Sequence, residues 1–283
     1  MANLQELLVE QGRFDEAGAL GTDVVLYRGN ELGRDHPDTL MSVATLGLAW
    51  GYLGKYTKAE TSLKEALEIS KRACGPDHVS TAEVVIELAS TYGYLGRYEE
   101  AEPLGARALK IKQDTLGVKH KGCIKAMANY SWILNQLSRF EESKVVGKKV
   151  LELSKATLGP KHPHTIVAMA DLAYTMSDLG RDEEAERVER EFVKLRKEIS
   201  GRRHPETLSV MSNFAVTLRN LGRLEETESI EGLGVAKGNT WAEAHAHCAH
   251  HGPPPLAFTL RAQGNLEDAE ELLSQVLEMR RKT

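Results

Sequence analysis

The sequence predicts an all-α protein, a solenoid in which antiparallel helix pairs stack one on the next, and three periodic features predict it. A Gly-Arg or Gly-Lys step stands at the foot of a short apolar run at Gly12-Arg13-Phe14, Gly54-Lys55-Tyr56, Gly96-Arg97-Tyr98, Gly180-Arg181-Asp182 and Gly222-Arg223-Leu224, and the variants Ser138-Arg139-Phe140 and Gly264-Asn265-Leu266 keep the same 42-residue spacing. His36, His78, His120, His162 and His204 share that period, each three residues after a glycine. Small residues keep it too: Gly47, Ala89, Ser131, Ala173, Ala215 and Ala257 at one position, Ala59, Ala101, Ser143, Ala185, Thr227 and Ala269 at another. Fixed spacing over the whole chain marks units that pack only on their neighbours.

The array runs over residues 1–231, with a half repeat at 1–31 and full repeats starting near 32, 74, 116, 158 and 200. Met1 falls inside a first helix, because Leu4 stands one period before Leu46. In the repeat near 32, Pro37 suits a first helical turn, Asp38 and Thr39 offer capping oxygens, and the apolar stripe is Leu40, Val43, Leu46, Gly47, Trp50 and Leu53. Gly54-Lys55-Tyr56 breaks that helix. A second helix follows with Ala59, Leu63, Ala66, Leu67 and Ile69 on one face, Lys71-Arg72 near its negative end and Cys74-Gly75 after it. Later copies repeat the charge logic, with Glu99-Glu100 and Glu183-Glu184 opening second helices and Lys110-Ile111-Lys112 and Lys194-Leu195-Arg196-Lys197 closing them. The small positions let paired helices approach closely.

The pattern fails over 232–255, where Gly232, Gly234 and Gly238 weaken one helix and Pro253-Pro254-Pro255 occupies the first half of another. Leu256-Ala257 and Gly264 return in register, so 256–283 reads as a residual helix pair. One hypothesis for the gap is a frame-shifted stretch of an ordinary repeat. Thr240-Trp241-Ala242 read one base later yields a glycine codon after one that can encode leucine.

A net charge of −5 gives no attractive field for nucleic acid or anionic lipid, and no run approaches the ~20 apolar residues of a membrane-spanning helix. Cys74, Cys123 and Cys248 are scattered and odd in number, which suits a reducing, cytoplasmic setting. The chain has no P-loop, dinucleotide fingerprint, HExxH or GxSxG, so no enzyme and no cofactor is expected. His245, His247, Cys248, His250 and His251 are dense metal-ligand types but match no defined finger, and no metal is assigned to them. The periodic histidines stand about 10 Å apart in a stack, too far to share an ion, and read as cap or packing residues.

Gly96-Arg97-Tyr98-Glu99-Glu100-Ala101-Glu102-Pro103-Leu104 with Arg107-Ala108-Leu109, and the junction Leu158-Gly159-Pro160-Lys161-His162-Pro163, resemble tetratricopeptide (TPR) repeats of the kinesin light chain type, found also in the C-terminal arrays of fungal and bacterial NLR-like proteins. The resemblance covers nearly the whole chain. It implies a right-handed superhelix whose concave face, lined by first helices, binds proteins or peptides. Carried over position by position, that face holds Glu83, Ile86, Glu87, Ser90, Gly93 and Tyr94, then Lys125, Ala128, Asn129, Trp132, Asn135 and Gln136, with Asp171 and Tyr174 in the fourth repeat and Asn213, Arg219 and Asn220 in the fifth. Amides suit a peptide backbone and the aromatics offer flat apolar area. Glu83, Glu87, Asp171 and Asp178 set this face apart from the basic grooves of kinesin light chains. Two readings stand: a scaffold that binds peptide segments, and an oligomerisation or regulatory arm of a larger NLR-like protein that self-associates through uncapped ends such as Leu272, Leu273, Val276 and Leu277.

Overall fold

The computed structural model describes residues 2–10 and 13–231. The segment 232–255, the helix pair at 256–283, the histidine and cysteine cluster, the frame-shift hypothesis and the C-terminal leucines lie outside the described residues. Every regular element among the described residues is an α-helix. They fall in two compact bodies, Met1–Thr157 and Leu158–Thr283.

The first body holds α1 (Ala2–Glu10), α2 (Phe14–Glu31), α3 (Pro37–Tyr52), α4 (Tyr56–Ala73), α5 (Val79–Tyr94), α6 (Tyr98–Leu116), α7 (Lys121–Gln136) and α8 (Phe140–Thr157). Each helix packs on the next, and α3 and α5, both first helices of their pairs, also pack on each other. The second body holds α9 (Pro163–Asp178), α10 (Asp182–Ser200), α11 (Pro205–Asn220) and α12 (Leu224–Glu231), again packed in sequence. First helices begin at residues 37, 79, 121, 163 and 205, so the repeat holds to the residue.

The Gly-Arg mark does two jobs. Gly54, Gly96, Gly180 and Gly222 take φ of 69°, 74°, 65° and 73°, the left-handed conformation that ends a helix, and Ser138 takes it at 57°. The chain then closes as a Schellman turn: Lys55 N donates to Trp50 O at 2.8 Å and Gly54 N to Gly51 O at 3.0 Å, with the same pair of bonds at each later copy. The arginine next to it clamps neighbouring hairpins. Arg97 donates to Glu100 of its own helix at 2.6 Å and to Glu60 of α4 at 2.9 Å. Arg139 repeats this with Glu142 and Glu102, and Arg223 with Glu226 and Glu186. Exposed pairs of this kind contribute about 0–1 kcal/mol each, so the clamp serves register more than stability.

The periodic histidines are the N-caps. Each adopts extended backbone, and its Nδ1 accepts from the amide two residues on: Asp38 for His36, Ser80 for His78, Gly122 for His120, His164 for His162 and Glu206 for His204, at 3.1–3.3 Å. This corrects the expectation that Asp38 and Thr39 supply the cap. Asp38 gives only its backbone amide, while Thr39 Oγ1 turns back to donate to Gly33 O at 2.8 Å and closes the loop before the helix. Thr81 and Thr165 do the same for Gly75 and Gly159, and Cys123 holds the equivalent place in the third full repeat.

The small positions are the hairpin cores. Ala59, Ala101 and Ala185 are fully buried. A Cβ on Gly47 would stand 2.8 Å from Leu63, so the α3–α4 pair leaves no room for one. In the α7–α8 pair both positions are serine, and they bond each other: Ser131 Oγ donates to Ser143 O at 3.0 Å and Ser143 Oγ to Ser131 O at 2.8 Å.

Candidate functional site

In the first body, the last turns of α3, α5 and α7 carry a chain of rings. Phe14 stacks on Tyr52 at 4.3 Å between centroids, Tyr52 meets Tyr94 at 6.2 Å, Tyr94 stacks on Tyr56 at 5.8 Å and meets Trp132 at 5.4 Å, and Tyr98 sets its edge to Trp132 at 6.4 Å. Tyr94 and Trp132 are half-buried, so the expected aromatic surface is a ladder already packed within the fold that shows solvent only part of each ring.

Beside the ladder, α5, α6 and α7 bring four charges together. Lys125 Nζ donates to Glu87 Oε1 at 2.8 Å and reaches Glu83 Oε1 at 3.5 Å, while Lys112 of α6 pairs with Glu83 Oε2. Burial pushes the Glu83 carboxyl up, but the ammonium groups of Lys125 and Lys112 outweigh it and hold it at about 2. Burial pushes the Glu87 carboxyl up, against the pull of Lys125. One turn further, Asn129 Nδ2 donates to Ser90 Oγ. Glu87 Oε2 and Asn129 Oδ1 are buried and accept no hydrogen bond.

The remaining expected residues divide between the bodies. Asn135 is buried and Gln136 half-buried at the end of α7. In the second body Asp171, Arg219 and Asn220 are exposed, and Tyr174 and Asn213 are half-buried. Asn220 Nδ2 donates to Asp182 of α10 at 3.4 Å, and Asn213 Oδ1 is a buried acceptor without a donor. The structure thus draws Glu87, Tyr94, Lys125, Asn129 and Trp132 into one neighbourhood.

Lys112 and Ser90 complete that neighbourhood. Ser90 stands on the expected face, but Lys112 escapes the sequence reading because a lysine near a helix end reads as a solvated charge. One signal exposes it: the same place in α4 and α8 holds Ser70 and Ser154, both fully buried, so Lys112 must point inward. Among the described residues no group of three or more His, Cys, Asp or Glu side chains could hold a metal ion, and no helix is long and apolar enough to cross a membrane.

Helix hairpins in strict register, with a polar and aromatic first-helix face, define an α-helical repeat protein. A tetratricopeptide repeat family model matches residues 51–114, 84–156 and 123–198, and a second tetratricopeptide repeat model matches 256–283. The chain belongs to the tetratricopeptide repeat family, whose members are generally protein-interaction scaffolds and typically non-catalytic.

Solved structures agree on the fold. The nearly identical TPR-like repeats of a Podospora anserina protein described as a kinesin light chain share 21% identity over 70% of this chain and 94% of that one, with a TM-score of 0.63. BtubC (BKLC) from P. vanneervenii shares 18% over 80% and 92%, with a TM-score of 0.64. A Rap protein complexed with Competence and Sporulation Factor shares 14% over 98% and 90%, with a TM-score of 0.56. No curated protein matches the sequence.

Proposed function

We propose that this chain is a non-enzymatic scaffold that holds a peptide segment of a partner protein against the first-helix face of α5 and α7. One observation carries the reading: Glu87 Oε2 on α5 and Asn129 Oδ1 on α7 are buried acceptors with no donor, on the helices that carry the half-buried rings of Tyr94 and Trp132. A buried acceptor left unpaired costs about 1–3 kcal/mol, which favours turning these side chains outward to accept from a peptide amide when one binds. The Rap protein structure, a complex with Competence and Sporulation Factor, shows this architecture in a ligand-bound protein. Asp171, Tyr174, Asn213, Arg219 and Asn220 are proposed as partner contacts on the first-helix face of the second body, taken by itself. The scattered cysteines support a cytoplasmic setting.

The test is selection of a displayed random-peptide library on the whole chain. Peptides that bind should lose binding to Asn129→Ala with Trp132→Ala while helical circular dichroism stays unchanged. Retention of every selected peptide by that variant refutes the reading. A second reading, self-association, is favoured by Leu4, Leu7, Leu26 and Tyr27, which stand 45–61% exposed on α1 and α2. It predicts a mass in sedimentation that rises with concentration and falls with Leu26→Glu.

A further inference from the structure

The side of the hairpins built by second helices carries grooves of its own, and two of them occupy equivalent places three repeat lengths apart. The groove in the first body lies between α4 and α6 over Leu88 and Tyr92, with a volume of about 670 Å³. The groove in the second body lies between α10 and α12 over Phe214, with a volume of about 510 Å³. Their shapes correspond, but their charges do not.

In the first groove every nearby cation is matched. Lys64 pairs with Glu60 at 2.6 Å, and Lys71 with Glu68 at 2.9 Å. At the positions of Glu68 and Lys71 the second groove has Lys194 and Lys197, so the acid of that pair is replaced by a second base. The acids that remain there are already engaged. Glu226 is bonded to Arg223 and Arg190, and Glu198, one turn from Lys194, is bonded to Lys161 at 3.0 Å. Among the described residues neither Lys194 nor Lys197 is bonded to a carboxylate, and Glu198 draws on Lys194 only at longer range while its own bond goes to Lys161. Burial pushes the Lys197 ammonium down, and the Arg202 guanidinium adds to it, as for a cation that lacks its counter-charge. Between these cations the floor is apolar, formed by Phe214 under the Arg190 guanidinium, with Val193 and Ile230.

We propose that this groove is a docking site, separate from the first-helix face, for a partner segment that seats an apolar side chain on Phe214, Val193 and Ile230 and directs flanking carboxylates to Lys194 and Lys197. Charge complementarity selects this occupant: a basic segment would meet two ammonium groups that no carboxylate bonds, and a purely apolar one would leave the half-buried Lys197 without a counter-charge. The paired groove in the first body lacks this preference because its cations are already satisfied.

The probe is a fluorescein-labelled nine-residue peptide with three central leucines flanked on both sides by glutamates, titrated against the whole chain by fluorescence anisotropy. Saturable binding is expected, weakened about tenfold or more by Lys194→Glu with Lys197→Glu and by exchanging the three leucines for serines. Lys194→Glu alone recreates the Glu68–Lys71 arrangement, so it should fold with an unchanged or higher melting temperature and still weaken binding. No saturable binding, or an affinity unchanged in both charge variants, overturns the proposal. So does equal binding of the serine peptide. Loss of binding in Asn129→Ala with Trp132→Ala, but not in the lysine variants, would place the peptide on the first-helix face and overturn it too.

Discussion

Trp132 packs against the backbone of Gly93 so closely that a Cβ on residue 93 would stand 2.4 Å from Cζ3 of the ring. The glycine at the end of α5 is therefore the seat of the tryptophan of α7, and the ring ladder depends on it. Gly93→Ala gains up to about 1 kcal/mol of helix propensity but forces the rigid indole to move. Overpacking of this kind costs about 1–3 kcal/mol, so the variant should melt at lower temperature and lose near-ultraviolet circular dichroism from the displaced ring. An unchanged near-ultraviolet spectrum would show that the ring is not seated there.

The charge cluster of α5, α6 and α7 gives an acid limb to stability. Folding lowers the Glu83 carboxyl from 4.5 to about 2. A lowered acid contributes stability that is fully present above about 4.5 and is lost as pH falls through 2, an effect on the order of 3 kcal/mol. Glu83→Gln should flatten denaturant stability between pH 5 and pH 2 relative to the unaltered chain. Lys125→Met should also destabilise the chain at neutral pH, because it removes the ammonium bonded to the buried Glu87, and the partial exposure of Lys125 holds the loss to about 1–3 kcal/mol.

Glu189 of α10 has the opposite sign. It is buried, its Oε2 accepts no hydrogen bond, and burial pushes its carboxyl from 4.5 up to about 7. A raised acid contributes stability that is fully present below about 4.5 and lost as pH rises through 7, again on the order of 3 kcal/mol. Glu189→Gln should therefore stabilise the chain at pH 8 and make little difference near pH 4, read as urea midpoints at the two values. Equal midpoint shifts at both would show that Glu189 does not titrate in this window.

The repeat marks are legible in the sequence because each answers a backbone demand. Only glycine adopts φ near 70° without strain at Gly54, Gly96, Gly180 and Gly222, and the arginine that follows Gly96 and Gly222 reaches carboxylates on two helices. The first-helix face is legible to the same degree, since helical spacing alone puts Glu87 with Ser90, and Lys125 with Asn129. What bonds to what is not, because it depends on three helices meeting. Lys112 comes from a second helix, and Tyr94 is turned into a ladder by rings that belong to neighbouring repeats. The sequence offers two sets of cap candidates, the periodic histidines and the ordinary capping oxygens of Asp38 and Thr39, and it is the imidazole of His36 that does the capping.

Each histidine cap should be worth about as much as an ordinary one. His78→Ala leaves the Ser80 amide without its acceptor and should cost about 0.5–2 kcal/mol, while His78→Asn restores a side-chain acceptor at the same place and should recover most of it. Hydrogen exchange at the Ser80 amide reads the site directly. Protection that survives His78→Ala would mean the bond contributes nothing.

Ser131 and Ser143 offer a sharper cycle, because the equivalent positions elsewhere are Ala89 with Ala101 and Ala173 with Ala185. The hairpin geometry accepts a pair of methyl groups, so the two hydroxyls are needed by each other and by the carbonyls they bond, not by the fold. Removing one hydroxyl deletes buried bonds and leaves the other serine with part of its capacity unmet, at about 1 kcal/mol. Removing both replaces the site with one the chain already builds twice. Ser131→Ala with Ser143→Ala should therefore be more stable than the sum of the single losses predicts, with a coupling of about 0.5 kcal/mol or more in urea titrations. Strict additivity would show the two hydroxyls to be independent despite their 3.1 Å separation.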